Sequence, residues 1–168
     1  MTSWPEYALR VEALQRADSR LAANPDDVEA HFDRGRLLSE LGRPEEARAA
    51  YFEVIKRSPA HFGALNNLGG VLHAGGFRTA ARSAYAEAVA RNPDNAQGHF
   101  NLGNLLREEG ELEAARAEYE EALRLDPDHA EAHRGMALIL HEIGDEAAAE
   151  AHRAVIEVLD RRAMPALS

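Results

Sequence analysis

Two stretches of this chain, LNNLGGVL at residues 65–72 and FNLGNLL at residues 100–106, share one asparagine, two leucines and one glycine after a shift of 34 residues. The same step joins further series: Pro25, Pro59, Pro93 and Pro127; Leu38, Leu72, Leu106 and Leu140; Gly42, Gly76, Gly110 and Gly144; Ala47, Ala81, Ala115 and Ala149; Gly35, Gly69 and Gly103; Tyr51, Tyr85 and Tyr119. Several independent series in one register indicate an internal repeat.

Each recurring residue type suits a pair of packed helices. Small residues are expected where two helix axes approach closely, and the tyrosines fill the space between neighbouring helices. Glycines such as Gly42 follow apolar stretches, where a left-handed helix terminator is expected. The prolines end the second helix of each pair, because the residue before a proline is pushed out of helical geometry. This punctuation predicts a lone helix near 5–23 and helix pairs near 27–41/44–57, 61–75/78–91, 95–109/112–125 and 129–143/145–162.

The small, aromatic and proline positions of the repeat resemble those of the tetratricopeptide repeat family over about residues 28–163. The usual tryptophan of the first signature position is replaced by His31, Leu65, His99 and His133. The fourth copy drifts further, with Ala137 for the glycine and Arg153 for the tyrosine. The resemblance implies an all-α, right-handed superhelical solenoid of antiparallel helix pairs. Its expected divisions are an N-terminal capping helix (1–27), four repeats (28–61, 62–95, 96–129, 130–163) and a tail or linker start (164–168).

In this family the first helices of successive repeats line a concave groove that binds extended peptides or partner helices. The resemblance implies the following peptide-binding residues: Phe32, Arg36, Asn66, Asn67, His73, Phe100, Asn101, Asn104, Arg107, Arg134 and His141. The amides of Asn67 and Asn101 can each donate and accept a hydrogen bond, so they are candidate rungs of a ladder along a peptide backbone. The alternative is that asparagine is simply common at this position in the family. A clamp for a chaperone's C-terminal carboxylate is not expected, since only Asn67 agrees with its pattern.

Composition excludes several other functions. The net charge is −10, and acidic and basic residues are mixed along the helices, so nucleic acid is not an expected partner. The sequence contains no cysteine, no apolar run long enough to span a bilayer and no recognisable secretory signal, so we expect a cytoplasmic protein. The resemblance to the repeat family implies a bacterial one. The eight histidines suit helix packing better than a metal site, and no nucleophile or phosphate-binding motif stands out. We therefore expect no cofactor, no metal and no enzymatic activity.

The sequence thus predicts a protein–protein interaction module that binds a peptide or a partner protein in its groove. Two alternatives stay open: an N-terminal regulatory or assembly domain of a larger bacterial enzyme, and a homo-oligomeric scaffold. Val155 and Val158 stand where the earlier repeats carry mostly charged residues, and they predict an association surface. A second copy, a following domain or the tail at 164–167 would cover it. The competing interpretation is that a few exposed valines need no partner.

Overall fold

The computed structural model describes residues 4–163, and this part of the chain consists of α-helices and short turns, with no strand. The helices are α1 (Trp4–Ala23), α2 (Val28–Glu40), α3 (Pro44–Arg57), α4 (Phe62–Ala74), α5 (Arg78–Arg91), α6 (Ala96–Glu108), α7 (Leu112–Leu125), α8 (Ala130–Glu142) and α9 (Glu146–Ala163). The predicted all-α solenoid of helix pairs is confirmed, and each helix begins and ends within one residue of its predicted position. The predicted tail at 164–168 lies outside the described residues.

The helices form two compact units. In the first unit, residues 1–91, α1 packs on α2, and the pairs α2/α3 and α4/α5 follow. In the second unit, residues 92–168, α6 pairs with α7 and α8 pairs with α9. Short turns join the two helices of each pair, which makes the pairs antiparallel. The division of the chain into individual repeats at the residues given above stays a prediction.

The turn within each pair is made by a glycine in the left-handed conformation. Gly42 has φ 71°, its N–H donates to the Ser39 carbonyl at 3.1 Å, and the next N–H, of Arg43, reaches back to the Leu38 carbonyl at 2.9 Å. These bonds satisfy carbonyls that the end of α2 would otherwise leave unpaired. Positive φ recurs at the three equivalent glycines, so the predicted helix terminators are confirmed.

The core of each unit is built on tyrosine rings packed against glycines. Tyr51, Tyr85 and Tyr119 expose 1%, 4% and 0% of their surface, which confirms their predicted burial. A methyl group at Gly35 would lie 2.6 Å from Cε1 of Tyr51, so only glycine leaves room for that ring. In the pair α8/α9 the tyrosine is replaced by Arg153, and the buried Ala137 is accommodated where the other pairs carry glycine.

None of the helices between residues 4 and 163 has the length and apolar character needed to cross a membrane.

Candidate protein-binding surfaces

The first unit carries five of the predicted groove residues on two helices. Phe32 and Arg36 lie on α2, and Asn66, Asn67 and His73 lie on α4. Arg36 is exposed and pairs with Glu40 at 2.7 Å, whereas the other four are half-buried. The first helix of each pair therefore presents these residues, as the repeat pattern predicts.

Asn67 is tied to the core of the first unit. Its side chain and that of Ser39 hydrogen-bond the Tyr51 hydroxyl, while burial raises the pKa of Tyr51. The hydroxyl of a buried tyrosine requires a hydrogen-bond partner, and these side chains supply it. The amide of Asn67 is consequently held in a fixed orientation by the fold.

Phe32 packs where three helices of the first unit meet. Its ring centroid lies 4.7 Å from that of His61 and 6.1 Å from that of Tyr51. His61 in turn precedes α4, and its Nδ1 accepts the N–H of Ala64 at 3.1 Å, which caps that helix. Phe32 thus contributes to packing, and only the exposed portion of its half-buried ring is accessible to a ligand.

The second unit repeats this arrangement on α6. The ring of Phe100 lies 4.9 Å from His129 and 6.1 Å from Tyr119. His129 precedes α8 and accepts the N–H of Ala132 through Nδ1 at 3.3 Å, so its predicted place at a helix start is confirmed. The Oδ1 atom of Asn101, the second candidate rung, accepts a hydrogen bond from Nε2 of Gln97 at 2.9 Å.

Asn104 and Arg107 lie on the same helix and converge on one hydroxyl. The O–H of Tyr119 donates to Oδ1 of Asn104 at 2.6 Å, and the Arg107 guanidinium also bonds this hydroxyl. Burial raises the pKa of Tyr119. The Nε atom of Arg107 is buried and has no hydrogen-bond partner among the described residues. Arg107 is therefore a half-buried residue whose unused Nε donor lies just beneath this face of α6.

The remaining groove residues, Arg134 and His141, lie on α8 and are engaged in ion pairs. Arg134 contacts Glu131 and, at 3.5 Å, Asp160 of α9. Nδ1 of His141 lies 2.8 Å from Oε2 of Glu146, and this contact, followed by that of Arg153, lowers the pKa of Glu146. Between these two residues Leu138 is 49% exposed and lines a hollow with Ile156.

The predicted association surface lies on α9. Val158 is 42% exposed and Val155 is half-buried. Both line a shallow hollow together with Asp128, Ala154, Leu159 and Arg162. Ala149 is the only residue of α9 that is fully buried. Much of the apolar surface of this helix is therefore open within the described part of the chain.

The sequence did not reveal what the signature histidines bind. Nε2 of each lies near the carbonyl of the proline six positions earlier: His31 at 2.9 Å from Pro25, His99 at 2.9 Å from Pro93, and His133 at 3.0 Å from Pro127. His99 and His133 expose only 7% and 8% of their surface, which confirms the predicted packing role. The recurring six-residue spacing is the signal that could have revealed these bonds. Within residues 4–163, no three histidine or acidic side chains are grouped in a way that could hold a metal ion.

Comparison with known proteins gives family matches and structural neighbours. Models described as tetratricopeptide repeat match residues 11–60, 32–77 and 84–117, and a model described as TPR repeat matches 103–144. MamA from Desulfovibrio magneticus is 24% identical with a TM-score of 0.81, over 93% of this chain and 88% of that one. Pseudomonas aeruginosa pilF is 20% identical with a TM-score of 0.78, over 90% and 73%. These two likenesses show the fold alone.

A third neighbour, an O-GlcNAc transferase from Thermobaculum terrenum, is 30% identical with a TM-score of 0.64. The likeness covers 68% of this chain but only 22% of the transferase. A search of curated protein sequences finds no significant match.

Proposed function

Since this chain belongs to the tetratricopeptide repeat family and is a protein–protein interaction module, we propose that it binds a peptide or partner segment on the faces of its first helices. In the first unit this face is formed by α2 and α4, and in the second by α6 and α8. The function is binding, without a chemical step. The observation that carries the proposal is the buried Nε donor of Arg107 on α6, which has no partner among the described residues.

Arg107 supports a polar ligand on the face of the second unit. A buried N–H without an acceptor carries a desolvation penalty, which is removed when the guanidinium shifts to meet a ligand's oxygen. A carbonyl or carboxylate of a bound segment supplies such an oxygen, and a carboxylate forms the stronger, charge-assisted bond. The guanidinium of Arg107 also bonds the hydroxyl of the buried Tyr119, so it is already oriented before a ligand arrives.

Asn67 and Asn101 support the same proposal at one position in each unit. Each amide is held by a neighbour within its own unit, Asn67 by the Tyr51 hydroxyl and Asn101 by Gln97. An amide that is oriented in advance loses less conformational entropy when it binds a backbone. We therefore keep both as rungs for a peptide backbone, and changing both to alanine is expected to weaken binding while helicity is retained.

The test uses the full chain to capture partners from a lysate, followed by affinity measurements with the partner identified. Arg107→Gln should weaken binding about tenfold, in keeping with the loss of one charge-assisted hydrogen bond. Arg116→Gln is the matched control, since Arg116 lies on the second helix α7, paired with Glu120 at 2.8 Å. Equal affinities of wild type and Arg107→Gln, with unchanged circular dichroism, would contradict the proposed face.

A second candidate function is self-association through α9. The observation that favours it is the exposure of Val158 beside Val155 and Leu159 on a helix whose apolar residues extend beyond its packed side. A second copy of the chain would bury this surface. The alternatives, a fused domain and the tail at 164–168, concern residues that the structure does not describe.

A further inference from the structure

Two imidazoles face each other where α9 packs on α8. Nδ1 of His133 lies 2.7 Å from Nδ1 of His152, and the ring centroids are 5.0 Å apart. His133 is 8% exposed and His152 is half-buried. The separation of the two nitrogen atoms is that of a hydrogen bond, so one of the two must carry the proton that lies between them.

The other nitrogen of His133 limits how many protons the pair can hold. Its Nε2 lies 3.0 Å from the Pro127 carbonyl, and because a carbonyl only accepts, this nitrogen is the donor. A neutral His133 then accepts at Nδ1 from His152. One added proton is tolerated, because His133 can donate at both nitrogens while His152 accepts. A second proton leaves two N–H groups pointing at each other.

We propose that His133 and His152 form a pH-responsive clasp that holds α9 on α8 near neutral pH and loosens it in mildly acidic solution. Double protonation replaces a hydrogen bond with two like charges at a partly buried site, where repulsion is stronger than at the open surface. The helix that moves is the one that carries Val155 and Val158.

The charged groups around the clasp are engaged elsewhere. On α8, Glu131 pairs with Arg134, which also reaches Asp160 of α9, and His141 faces Glu146 of α9. On α9, Arg153 contacts Glu146 and Glu150. On α7, Glu118 faces His99 of α6, and Glu121 pairs with Arg124. The partners described for these carboxylates are thus other side chains, and none of these contacts neutralises the clasp.

The direction of the pH effect follows from the environment of His152. Burial, and then the neighbouring His133, lower the pKa of His152 below its ordinary value of 6.5. The unfolded helix therefore binds this proton more readily than the folded one. The stability that the neutral pair contributes is present above the ordinary value and is lost as the pH falls below it towards the lowered pKa.

The preceding helix pair contains the matched control within the same chain. His99 occupies the position of His133, with Nε2 at 2.9 Å from the Pro93 carbonyl. Its Nδ1, however, lies 2.7 Å from Oε2 of Glu118, which stands where α9 carries His152. A proton added to His99 makes an ion pair with a carboxylate, so acid does not place like charges together there.

The experiment measures amide hydrogen exchange by mass spectrometry on the full chain between pH 7.5 and 5.0, corrected for the intrinsic exchange rate. In the wild type, protection of α9 should fall by up to about tenfold, as the loss of the hydrogen bond between the two rings implies. Protection of α7 should stay within about twofold. His152→Glu, which reproduces the His99–Glu118 contact, should abolish the fall in α9, and His152→Gln, which does not titrate, should do the same.

Both variants retain His129, the imidazole that caps α8, so a pH response that arises from its capping role would persist in them. Constant protection of α9 in the wild type, an equal fall in α7 and α9, or a fall that survives in His152→Gln would each overturn the proposal. If His152→Glu does not fold, the comparison of wild type with His152→Gln decides the matter.

Discussion

Gly69 and Gly70 are neighbours on α4, yet a side chain at each would meet different surroundings. A methyl group at Gly69 would lie 2.6 Å from Cδ1 of the buried Tyr85 ring, whereas at Gly70 the nearest atom is the Tyr85 hydroxyl oxygen at 3.6 Å, an ordinary contact. The aromatic ring cannot move without displacing its own neighbours, because protein interiors are close-packed. The Tyr85 ring therefore occupies the space that the absent side chain of Gly69 leaves in the core of the first unit.

We expect opposite effects from alanine at these two positions. Gly69→Ala should lower the free energy of unfolding by about 1–3 kcal/mol, the cost of overpacking a core. Gly70→Ala should raise it by about 0.5–1 kcal/mol, because glycine in a helix interior carries an entropic cost that alanine removes. Urea unfolding of the two variants measures the difference. Similar midpoints for both would show that the contact between α4 and α5 is assigned to the wrong glycine.

At the scale of the helices, the sequence predicts features that adjacent residues determine, and it does not predict features that depend on contacts between helices. Helix ends follow from adjacent residues such as Gly42 and Pro44, so they were predicted within one residue. Contacts within the candidate faces depend on rings that meet across helices, such as Phe32 with His61, and a 34-residue pattern does not encode that geometry. The repeat pattern does not encode the buried Nε donor of Arg107 either, because that feature arises from packing around α6.

The residue before the first helix of each pair has a role that the sequence predicts only in part. Asp27, His61, Asn95 and His129 share one register position, and each caps a helix by accepting a backbone N–H. Aspartate and asparagine at this position are recognisable from sequence, because they are common N-caps, whereas the use of a histidine Nδ1 atom as a cap is not.

Asn95 allows a test of the cap on α6. Its Oδ1 accepts the N–H of Gly98 at 2.7 Å. Asn95→Ala should reduce the free energy of unfolding by about 1 kcal/mol, since it leaves that donor without a side-chain partner. Asn95→Asp keeps the acceptor and places a negative charge at the positive end of the helix dipole, so it should be as stable as the wild type or more so. Equal losses in both variants, measured by thermal unfolding, would argue against a capping role.

At the scale of the whole molecule, charge and apolar surface favour different behaviour in solution. The net charge of −10 promotes repulsion between copies. The apolar residues of α9 favour association of copies, because burying apolar surface is favourable in water. Which of the two dominates is decided by the salt concentration as well as by the sequence, since salt screens the repulsion but leaves the apolar attraction in place.

Light scattering at increasing protein concentration tests the association surface on α9. The wild type should form dimers more readily at higher salt, and Val155→Glu/Val158→Lys should remain monomeric. Charge reversal of Glu121 and Arg124, which occupy the equivalent positions on α7, is the matched control and should leave the wild-type behaviour unchanged. A wild type that stays monomeric at all concentrations and salt levels would exclude a second copy as the cover.

The hydrogen bonds between the signature histidines and the proline carbonyls have a use in spectroscopy. A ring proton held by a carbonyl exchanges slowly with solvent, so His31, His99 and His133 should each give an observable imidazole N–H signal in NMR spectra of the folded chain. Leu65 interrupts the series, so three such signals belong to three known places: one at the start of α2, one on α6 and one on α8. Each signal would report the folding of its own helix pair without any added label, and the His133 resonance would follow the state of the clasp directly.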